Sequence, residues 1–259
     1  MRTARHRAPA TGWGRAGTEL SRLVLPVYCA GCGRPDSDLC RQCLRALTGP
    51  ARYVADLVGA APAGWQGSAV AAADPPLLAV AEFGGVVREA LVAWKDDGRA
   101  DLTPVVAAAL ARALSAAAGA AVTGAAADAR RGSPLLVVPV PSTASAVRRR
   151  GADLVAAASR DAVHRNQNRQ PSRPLVVAVV LRHRGRVRDQ SGLGAAARAE
   201  NVSGRMVCRA DLRGRDVVLV DDVVTTGATL AEAARAVQAG GGRPVAATVV
   251  AATRRRDRR

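Results

Sequence analysis

Aromatic residues are scarce in this chain of 259 residues, and we interpret none of its apolar runs as long enough to span a membrane. Phe, Trp and Tyr make up only 2% of the residues while 49% are hydrophobic, so a core must be built from Ala, Val and Leu. So few aromatic rings disfavour a base-stacking platform for single-stranded nucleic acid. We find neither a membrane span nor a secretory leader with its cleavage site. These absences predict a cytoplasmic protein.

Lysine is almost absent as well, because Lys95 is the sole lysine among 38 basic residues and the rest are arginines. The formal net charge of +17 predicts attraction to polyanions, with nucleic acid, nucleotides and pyrophosphate as candidates. A coding bias toward G and C is the alternative source of part of this charge. The basic runs at both termini are typical of solvated tails, with nucleic-acid contact as the alternative.

Four of the five cysteines form the pattern C-x2-C-x7-C-x2-C. Each C-x2-C pair predicts a turn whose backbone amides face the sulfurs, and two such turns create a tetrahedral thiolate site. Because four thiolates leave no position open to a substrate, the pattern predicts a structural Zn²⁺ that stabilises a small module. A redox dithiol and disulfides are the alternatives. The predicted ligands are Cys29, Cys32, Cys40 and Cys43.

Downstream of the cysteines, apolar runs alternate with segments of helical spacing. The predicted strands cover residues 77–83, 135–140, 175–181, 217–220 and 245–251, and the predicted helices cover 86–94, 102–121, 152–164 and 228–239. Strands that are apolar throughout and alternate with helices predict a parallel sheet that is covered on both faces. We therefore predict a basic tail (1–19), a zinc module (20–48), a linker (49–75), an α/β domain (76–253) and a second basic tail (254–259).

Two adjacent carboxylates and a threonine-rich turn follow the strand predicted at 217–220. Asp221 and Asp222 lie at the carboxyl end of this strand, where open α/β sheets bind their ligands. The carboxylates suit vicinal hydroxyls, or Mg²⁺ with ordered water. The turn offers hydroxyls, backbone amides and a helix N-terminus, which together suit a phosphate. An N-cap with a flexible turn is the alternative. The predicted phosphate contacts are Thr225, Thr226, Gly227, Ala228 and Thr229.

Three further features are candidates for the same site. The sequence V-P-V-P-S, with Val140, Pro141 and Ser142, ends the strand predicted at 135–140 and precedes three consecutive arginines. Arg148, Arg149 and Arg150 would neutralise pyrophosphate, or else form a solvated basic turn. Lys95 is interpreted as a functional point charge, retained in a chain where arginine has otherwise replaced lysine. The alternative is that this lysine remains by chance. The polar stretch 182–202 is long enough for a lid, with an exposed hairpin as the alternative.

The order of these motifs resembles the ComF family of phosphoribosyltransferase-like proteins over about residues 20–253. The resemblance rests on the four-Cys module, W-K-x-x-G, V-P-V-P with R-R-R-G, Q-x-x-L (190–193), R-x-x-N-V (198–202) and the final loop. That loop, residues 217–230, resembles the phosphoribosyl pyrophosphate (PRPP) motif of type I phosphoribosyltransferases. The chain departs from the family pattern after R-G, where Ala152 and Asp153 replace the usual aromatic and amide.

The resemblance implies a type I phosphoribosyltransferase-like parallel sheet flanked by helices, with a small N-terminal zinc module. It also implies roles for the candidates: Asp221 and Asp222 hold the ribose hydroxyls, and the threonine-rich turn binds the 5′-phosphate. The loop at Val140, together with Lys95 and the three arginines, would bind pyrophosphate. A mobile flap at 182–202 would close over PRPP.

For function, the resemblance implies Mg²⁺-dependent phosphoribosyl transfer to an acceptor that the sequence does not reveal. Some members of the family are linked to DNA uptake in competence, with single-stranded DNA and a helicase as partners, and type I relatives often form homodimers. The alternative is a non-catalytic module that responds to PRPP or a nucleotide and binds single-stranded DNA or a helicase. A third reading makes the zinc module the DNA contact, through Arg34, Arg41 and Arg45.

Overall fold

A mostly parallel sheet forms the centre of the protein in the computed structural model, which describes residues 27–54, 75–120, 133–167, 173–184 and 204–254. The strands are β1 (Arg52–Tyr53), β2 (Leu77–Glu82), β3 (Leu135–Pro139), β4 (Leu175–Val177), β5 (Leu181–His183), β6 (Met206–Cys208), β7 (Asp216–Val220), β8 (Val223–Val224) and β9 (Arg243–Ala252). The helices are α1 (Arg41–Leu47), α2 (Gly85–Lys95), α3 (Thr103–Ala120), α4 (Ala144–Arg150), α5 (Leu154–Gln167) and α6 (Ala228–Ala239), with a 3₁₀ turn at Ala100–Leu102.

The sheet order is β1-β2-β9-β7-β3-β4, and β8 pairs with β9. Only the β1–β2 pair is antiparallel among the described strands of this sheet, while β5 and β6 form a separate antiparallel hairpin. This is the α/β class that the sequence predicts.

Helices cover both faces of the sheet. Successive residues of each strand point to opposite sides, so each strand packs against both layers of helices. In β7, Val218 and Val220 pack in the cluster formed with α2, α3 and α5. Their neighbours Val217 and Leu219 pack in the cluster formed with α6. Burial on both sides explains why residues 217–220 of this strand are all apolar.

Strands β3 and β7 are parallel neighbours, so the loops that follow them leave the sheet side by side. Pro139 pairs with Val220, and the amide of Val140 donates to the carbonyl of Val220 at 2.8 Å. At the opposite end of β7, the buried Asp216 accepts hydrogen bonds from Arg173 and Arg243, each at 2.8 Å. This clamp fixes the strand whose other end carries the acid pair.

The structure differs from the predicted elements in four places. The strand predicted at 175–181 is divided between β4 and β5, and residues 52–53 of the predicted linker pair with β2. The three arginines lie in helix α4 rather than in a turn. Helix α5 begins at Leu154 instead of 152, because Gly151 has a φ of +74° and Asp153 accepts a hydrogen bond from the amide of Ala156.

Our interpretation that no segment reaches membrane-spanning length was wrong, because the helical segment Ala100–Ala120 has the length and hydropathy for a span. In the fold, 56% of the apolar 18-residue stretch within this segment is buried. Helix α3 packs against α5 and the sheet, and Asn166 of α5 donates to the carbonyl of Ala111 at 2.9 Å. The segment is therefore placed as a core helix, whose many alanines allow close helix packing.

Several predicted segments lie outside the described residues. They are the N-terminal tail, residues 55–74 of the linker, the C-terminal tail beyond Arg254, and most of the predicted flap, with its Q-x-x-L and R-x-x-N-V motifs.

Candidate functional site

The acid pair lies directly after β7, at the carboxyl edge of the sheet. The amide of Asp221 donates to the carbonyl of Thr248 on β9 at 3.0 Å, and the amide of Asp222 donates to Oδ1 of Asp221 at 2.8 Å. Both side chains are buried, with 8% of Asp221 and 4% of Asp222 exposed. Two adjacent buried carboxylates are costly unless one is paired or protonated.

Lys95, the last residue of α2, pairs with one of these acids. Its Nζ lies 2.8 Å from Oδ1 and 2.6 Å from Oδ2 of Asp222, although the two residues are far apart in sequence. Burial alone would lower the pKa of Lys95, but the charges of Asp222 and Asp221 outweigh it and the pKa is raised. This contact brings together two residues that the sequence analysis selected separately.

The two carboxyl groups differ in protonation as a result. Burial would raise the pKa of Asp222, but the charge of Lys95 and the hydrogen bonds to it outweigh burial and the pKa is lowered. Burial and the negative charge of Asp222 instead raise the pKa of Asp221 well above its usual range. The pair therefore combines an ionised acid with one that retains its proton more readily.

The threonine-rich turn connects β8 to helix α6. Gly227 precedes the first residue of α6 with a φ of +76°, a conformation that favours glycine, and it is buried. The hydroxyl of Thr226 accepts a hydrogen bond from the amide of Ala228 at 3.4 Å, and both Thr225 and Thr226 are exposed. The N-terminal amides of this 12-residue helix thus lie beside exposed threonine side chains, which suits an anion.

The loop after β3 is supported by Asp153. Its carboxylate accepts a hydrogen bond from the amide of Ser142 at 3.2 Å and another from the Ser142 hydroxyl at 3.2 Å. The same carboxylate accepts from the amide of Ala156 in the first turn of α5. Asp153 therefore joins this loop to a helix N-terminus.

The three arginines of α4 point in different directions, because successive helical residues are rotated by about 100°. Arg148 and Arg149 are exposed, and Arg149 approaches Asp96 at 3.7 Å. The side chain of Arg150 is only 9% exposed, and it also lies 3.7 Å from Asp96. The sequence analysis could not separate these three residues, whereas the fold turns only Arg150 inward.

One cavity of about 520 Å³ lies between the two loops. The predicted site residues that line it are Lys95, Val140, Pro141, Ser142, Arg150, Asp221, Asp222, Thr225 and Thr229. The predicted residues outside its lining are Arg148, Arg149, Thr226, Gly227 and Ala228. The remaining wall combines apolar side chains such as Phe83, Leu91 and Met206 with the polar residues Asp96, Thr143 and His183.

Buried polar atoms without a partner concentrate at this cavity. Four such side-chain atoms occur among the described residues: Nε and Nη1 of Arg150, Nδ1 of His183 and Oγ1 of Thr253. Both Arg150 and His183 line the cavity. An unpaired buried polar group costs about 1–3 kcal/mol, so a cavity that retains several of them is prepared for a polar ligand.

His183 was missed by the sequence analysis, which included it only in a basic stretch. It ends β5, lines the cavity, and its Nε2 lies 2.9 Å from the carbonyl oxygen of Pro141. One of three histidines in the chain, at the end of a predicted strand, was the available signal.

The phosphoribosyl transferase domain family matches residues 113–259, more than half of the chain. The chain belongs to this family. The matched region includes both loops of the cavity, β3 to β9 and helix α6, whereas α2 with Lys95 and the cysteines precede it. The comparison with curated proteins gave no match.

The phosphoribosyltransferase domain is preceded by a cluster of the four predicted cysteines. Their Sγ atoms all lie within 4.8 Å of one another, and those of Cys32 and Cys40 are 3.7 Å apart. A tetrahedral Zn²⁺ site with bonds of about 2.3 Å has sulfurs about 3.8 Å apart. The four thiol groups thus have the spacing of a zinc site, and Cys29, Cys32, Cys40 and Cys43 could hold the ion.

Backbone amides face the sulfurs, as the C-x2-C pattern predicts. The amide of Cys40 donates to Sγ of Cys29 at 3.3 Å. Burial would raise the pKa of Cys29, but hydrogen bonds from the amides of Cys40, Cys32 and Gly31 outweigh it and lower the pKa to about 6. An amide hydrogen bond likewise lowers the pKa of Cys40, whereas burial raises that of Cys43. Thiolates are therefore favoured at Cys29 and Cys40, and a metal ion would displace the proton that Cys43 retains.

The cysteine module packs along helix α2 of the phosphoribosyltransferase fold. Val86, in the first turn of α2, contacts the cysteine cluster. Beyond the other end of α2, Arg99 donates to the carbonyls of Tyr28 and Asp38 at 3.4 and 3.3 Å. The helix that carries Lys95 is therefore held by the module at both ends.

Proposed function

We propose that this protein binds PRPP with Mg²⁺ and transfers the phosphoribosyl group to an acceptor, as a ComF-type member of its family. One observation carries the proposal: a single cavity is lined by the acid pair after β7 and by Ser142 and Arg150 at the loop after β3. An anionic sugar phosphate with two charged ends matches such a cavity, because each loop offers hydrogen-bond donors at one end of it.

The proposed roles follow from the side chains and their positions. The carboxylates of Asp221 and Asp222 would accept hydrogen bonds from the ribose hydroxyls. The turn at Thr225–Thr229, with the N-terminus of α6, would bind the 5′-phosphate. Lys95 and Arg150 would neutralise pyrophosphate. Mg²⁺ would be held through water by the acid pair, and it would offset the charge of the leaving pyrophosphate.

In the proposed reaction, the bond from the ribose C1 to pyrophosphate oxygen breaks, and pyrophosphate leaves with the electron pair. The acceptor forms a new bond to C1 and loses the proton of its nucleophilic atom to solvent. The protein contributes by orienting the ribose through the acid pair and by stabilising the negative charge that develops on pyrophosphate.

The remaining parts of the chain have supporting roles in this proposal. Zn²⁺ would be structural and would organise the module of residues 20–48, because four sulfurs leave no open position. The phosphoribosyltransferase-like domain would span residues 76–253, with a linker and two basic tails outside it. We propose a cytoplasmic location and, by analogy with type I relatives, a homodimer.

Calorimetric titration tests the proposal. Mg²⁺ and PRPP are titrated into the zinc-loaded full chain and into the Asp221→Asn/Asp222→Asn double variant, while pyrophosphate release is followed with nucleobases and with single-stranded DNA. Binding that is lost in the variant, together with acceptor-dependent release, is the expected result. Wild-type protein that is folded but binds no PRPP would overturn the proposal.

The net charge supports a second candidate, a PRPP-responsive module that binds single-stranded DNA or a competence helicase without turnover. Arg34, Arg41 and Arg45 are all exposed on the cysteine module, where they are available to phosphates. This candidate predicts PRPP binding without pyrophosphate release, and DNA affinity that falls steeply between 50 and 200 mM salt. Acceptor-dependent release would instead favour the transferase.

A further inference from the structure

The imidazole of His183 is held in the cavity wall by a hydrogen bond to the loop after β3. Its Nε2 lies 2.9 Å from the carbonyl oxygen of Pro141. A carbonyl oxygen can only accept, so Nε2 must carry the hydrogen. The other ring nitrogen, Nδ1, is then the atom available to a ligand.

Nδ1 is buried and has no hydrogen-bond partner among the described residues. His183 lines the same cavity as Ser142 and Arg150, and two guanidinium nitrogens of Arg150 are also buried without a partner. Unpaired groups on two different elements, β5 and α4, thus face the loop at which pyrophosphate is proposed to bind.

The hairpin that carries His183 is fixed on both of its strands. On β6, the amide of Met206 donates to the buried carboxylate of Glu232 at 2.7 Å, and Arg235 donates to the same carboxylate at 2.7 Å. Glu232 and Arg235 belong to α6, the helix that follows the threonine-rich turn. The hairpin therefore connects the loop after β3, through His183, with helix α6, through Met206.

We propose that His183 is a pyrophosphate-binding residue, in which Nε2–H holds the ring on Pro141 and Nδ1, which takes up a proton from solvent as the anion binds, donates to a phosphoryl oxygen. An anion is the favoured partner because two guanidinium nitrogens of Arg150 are unpaired at this cavity, whereas the lining acids Asp222 and Asp96 already face Lys95 and Arg150. This inference rests on the proposed function, since it assigns a further contact to the same ligand. Among the acids that line the cavity, Asp222 is already paired with Lys95.

Two substitutions separate the roles of the two ring nitrogens. A glutamine amide reaches the position of Nε2, so His183→Gln retains a donor for Pro141 but removes Nδ1. An asparagine amide reaches the position of Nδ1, so His183→Asn retains a donor for the ligand but loses the hydrogen bond to Pro141. If Nδ1 contacts pyrophosphate, asparagine should restore affinity better than glutamine.

The experiment is calorimetry with Mg²⁺-pyrophosphate, Mg²⁺-PRPP and ribose 5-phosphate as separate probes on the full zinc-loaded chain. We expect His183→Gln to weaken pyrophosphate binding about tenfold or more and His183→Asn to weaken it less. Affinity for ribose 5-phosphate, which the other loop is proposed to bind, should change less than about twofold in both variants. Zinc content and thermal unfolding show whether each variant is folded.

The outcomes distinguish the two proposals. If wild-type protein binds PRPP and pyrophosphate but His183→Gln binds both equally well, the assignment of His183 is wrong and the proposed function stands. Equal losses for pyrophosphate and ribose 5-phosphate would also overturn the assignment, because they indicate general disruption. If folded wild-type protein binds neither PRPP nor pyrophosphate, the proposed function fails and the inference fails with it.

Discussion

The ammonium group of Lys95 contacts both carboxylate oxygens of Asp222, at 2.6 and 2.8 Å, and so neutralises one member of a buried acid pair. In its neighbour Asp221, burial and the negative charge of Asp222 outweigh the charge of Lys95 and keep the pKa raised. Two adjacent aspartates of the same motif therefore have opposite electrostatic environments. Their substitutions should have opposite effects on stability, although both should impair PRPP binding.

Asp221→Asn should stabilise the protein near pH 7. Because the folded state raises the pKa of Asp221, it binds more protons than the unfolded state above about pH 4, so stability falls as the pH rises through that window. Asparagine does not titrate, so it removes this loss of stability at higher pH. It also retains an oxygen that accepts the hydrogen bond from the amide of Asp222. Thermal unfolding from pH 4 to 8 should give a higher Tm than wild type at pH 7 and a smaller difference at pH 4.

Asp222→Asn should destabilise the protein at neutral pH by about 2 kcal/mol. Removing one partner of a buried pair costs about 3–5 kcal/mol, and we expect less because Lys95 is 37% exposed. The folded state lowers the pKa of Asp222, so the stabilisation is present above about pH 4 and is lost as the pH falls through the folded pKa. Denaturant titration measures the change, and a stability equal to that of wild type at pH 7 would contradict it.

Arg150→Gln should weaken pyrophosphate binding by about tenfold to a hundredfold, because charge-assisted hydrogen bonds to phosphate contribute about 1.5–3 kcal/mol. Arg148→Gln is the matched control, since it removes the same charge from an exposed position of the same helix. It should change affinity by less than about twofold. Calorimetry at 0.15 M salt compares the two, and equal losses would indicate that only the net charge matters.

The fold and the two ligand loops could be predicted from the sequence, because apolar strands end at identifiable residues and parallel neighbours bring those ends together. The orientation of the three arginines could not, because it depends on where α4 begins, and that is set by the N-cap hydrogen bond from the amide of Ala146 to Thr143. The place of His183 in the site could not be predicted either, for a related reason. The importance of its ring depends on a tertiary contact with Pro141, 42 residues away.

Gly31→Ala should abolish tight Zn²⁺ binding. A Cβ at this position would lie 2.8 Å from Sγ of Cys43 and 3.1 Å from the carbonyl oxygen of Val86, so either the sulfur or helix α2 must move. Gly33→Ala is the matched control, because its Cβ meets open space and only its φ of +71° is unfavourable. We expect the control to retain one zinc ion per chain and to lose about 1 kcal/mol of stability. Metal analysis after dialysis measures the stoichiometry.

Asp153→Ala should cost about 1–2 kcal/mol of stability and also weaken PRPP binding, because it removes the N-cap of α5 and both hydrogen bonds from Ser142. Asp153→Asn retains one accepting oxygen in a side chain of the same size. It should cost less than about 1 kcal/mol. Chemical denaturation and PRPP titration of the two variants test this, and identical behaviour would argue against the carboxylate as the support of the loop.

Helix α2 contacts the cysteine cluster through Val86 and reaches the cavity with Lys95, about 14 Å further along its axis. No cysteine lines the cavity, yet any shift of this helix on metal loss would change the position of the charge that neutralises Asp222. Occupancy of the two sites is then thermodynamically linked. Since such linkage is reciprocal, Zn²⁺ and PRPP should each raise the equilibrium affinity of the protein for the other by the same factor.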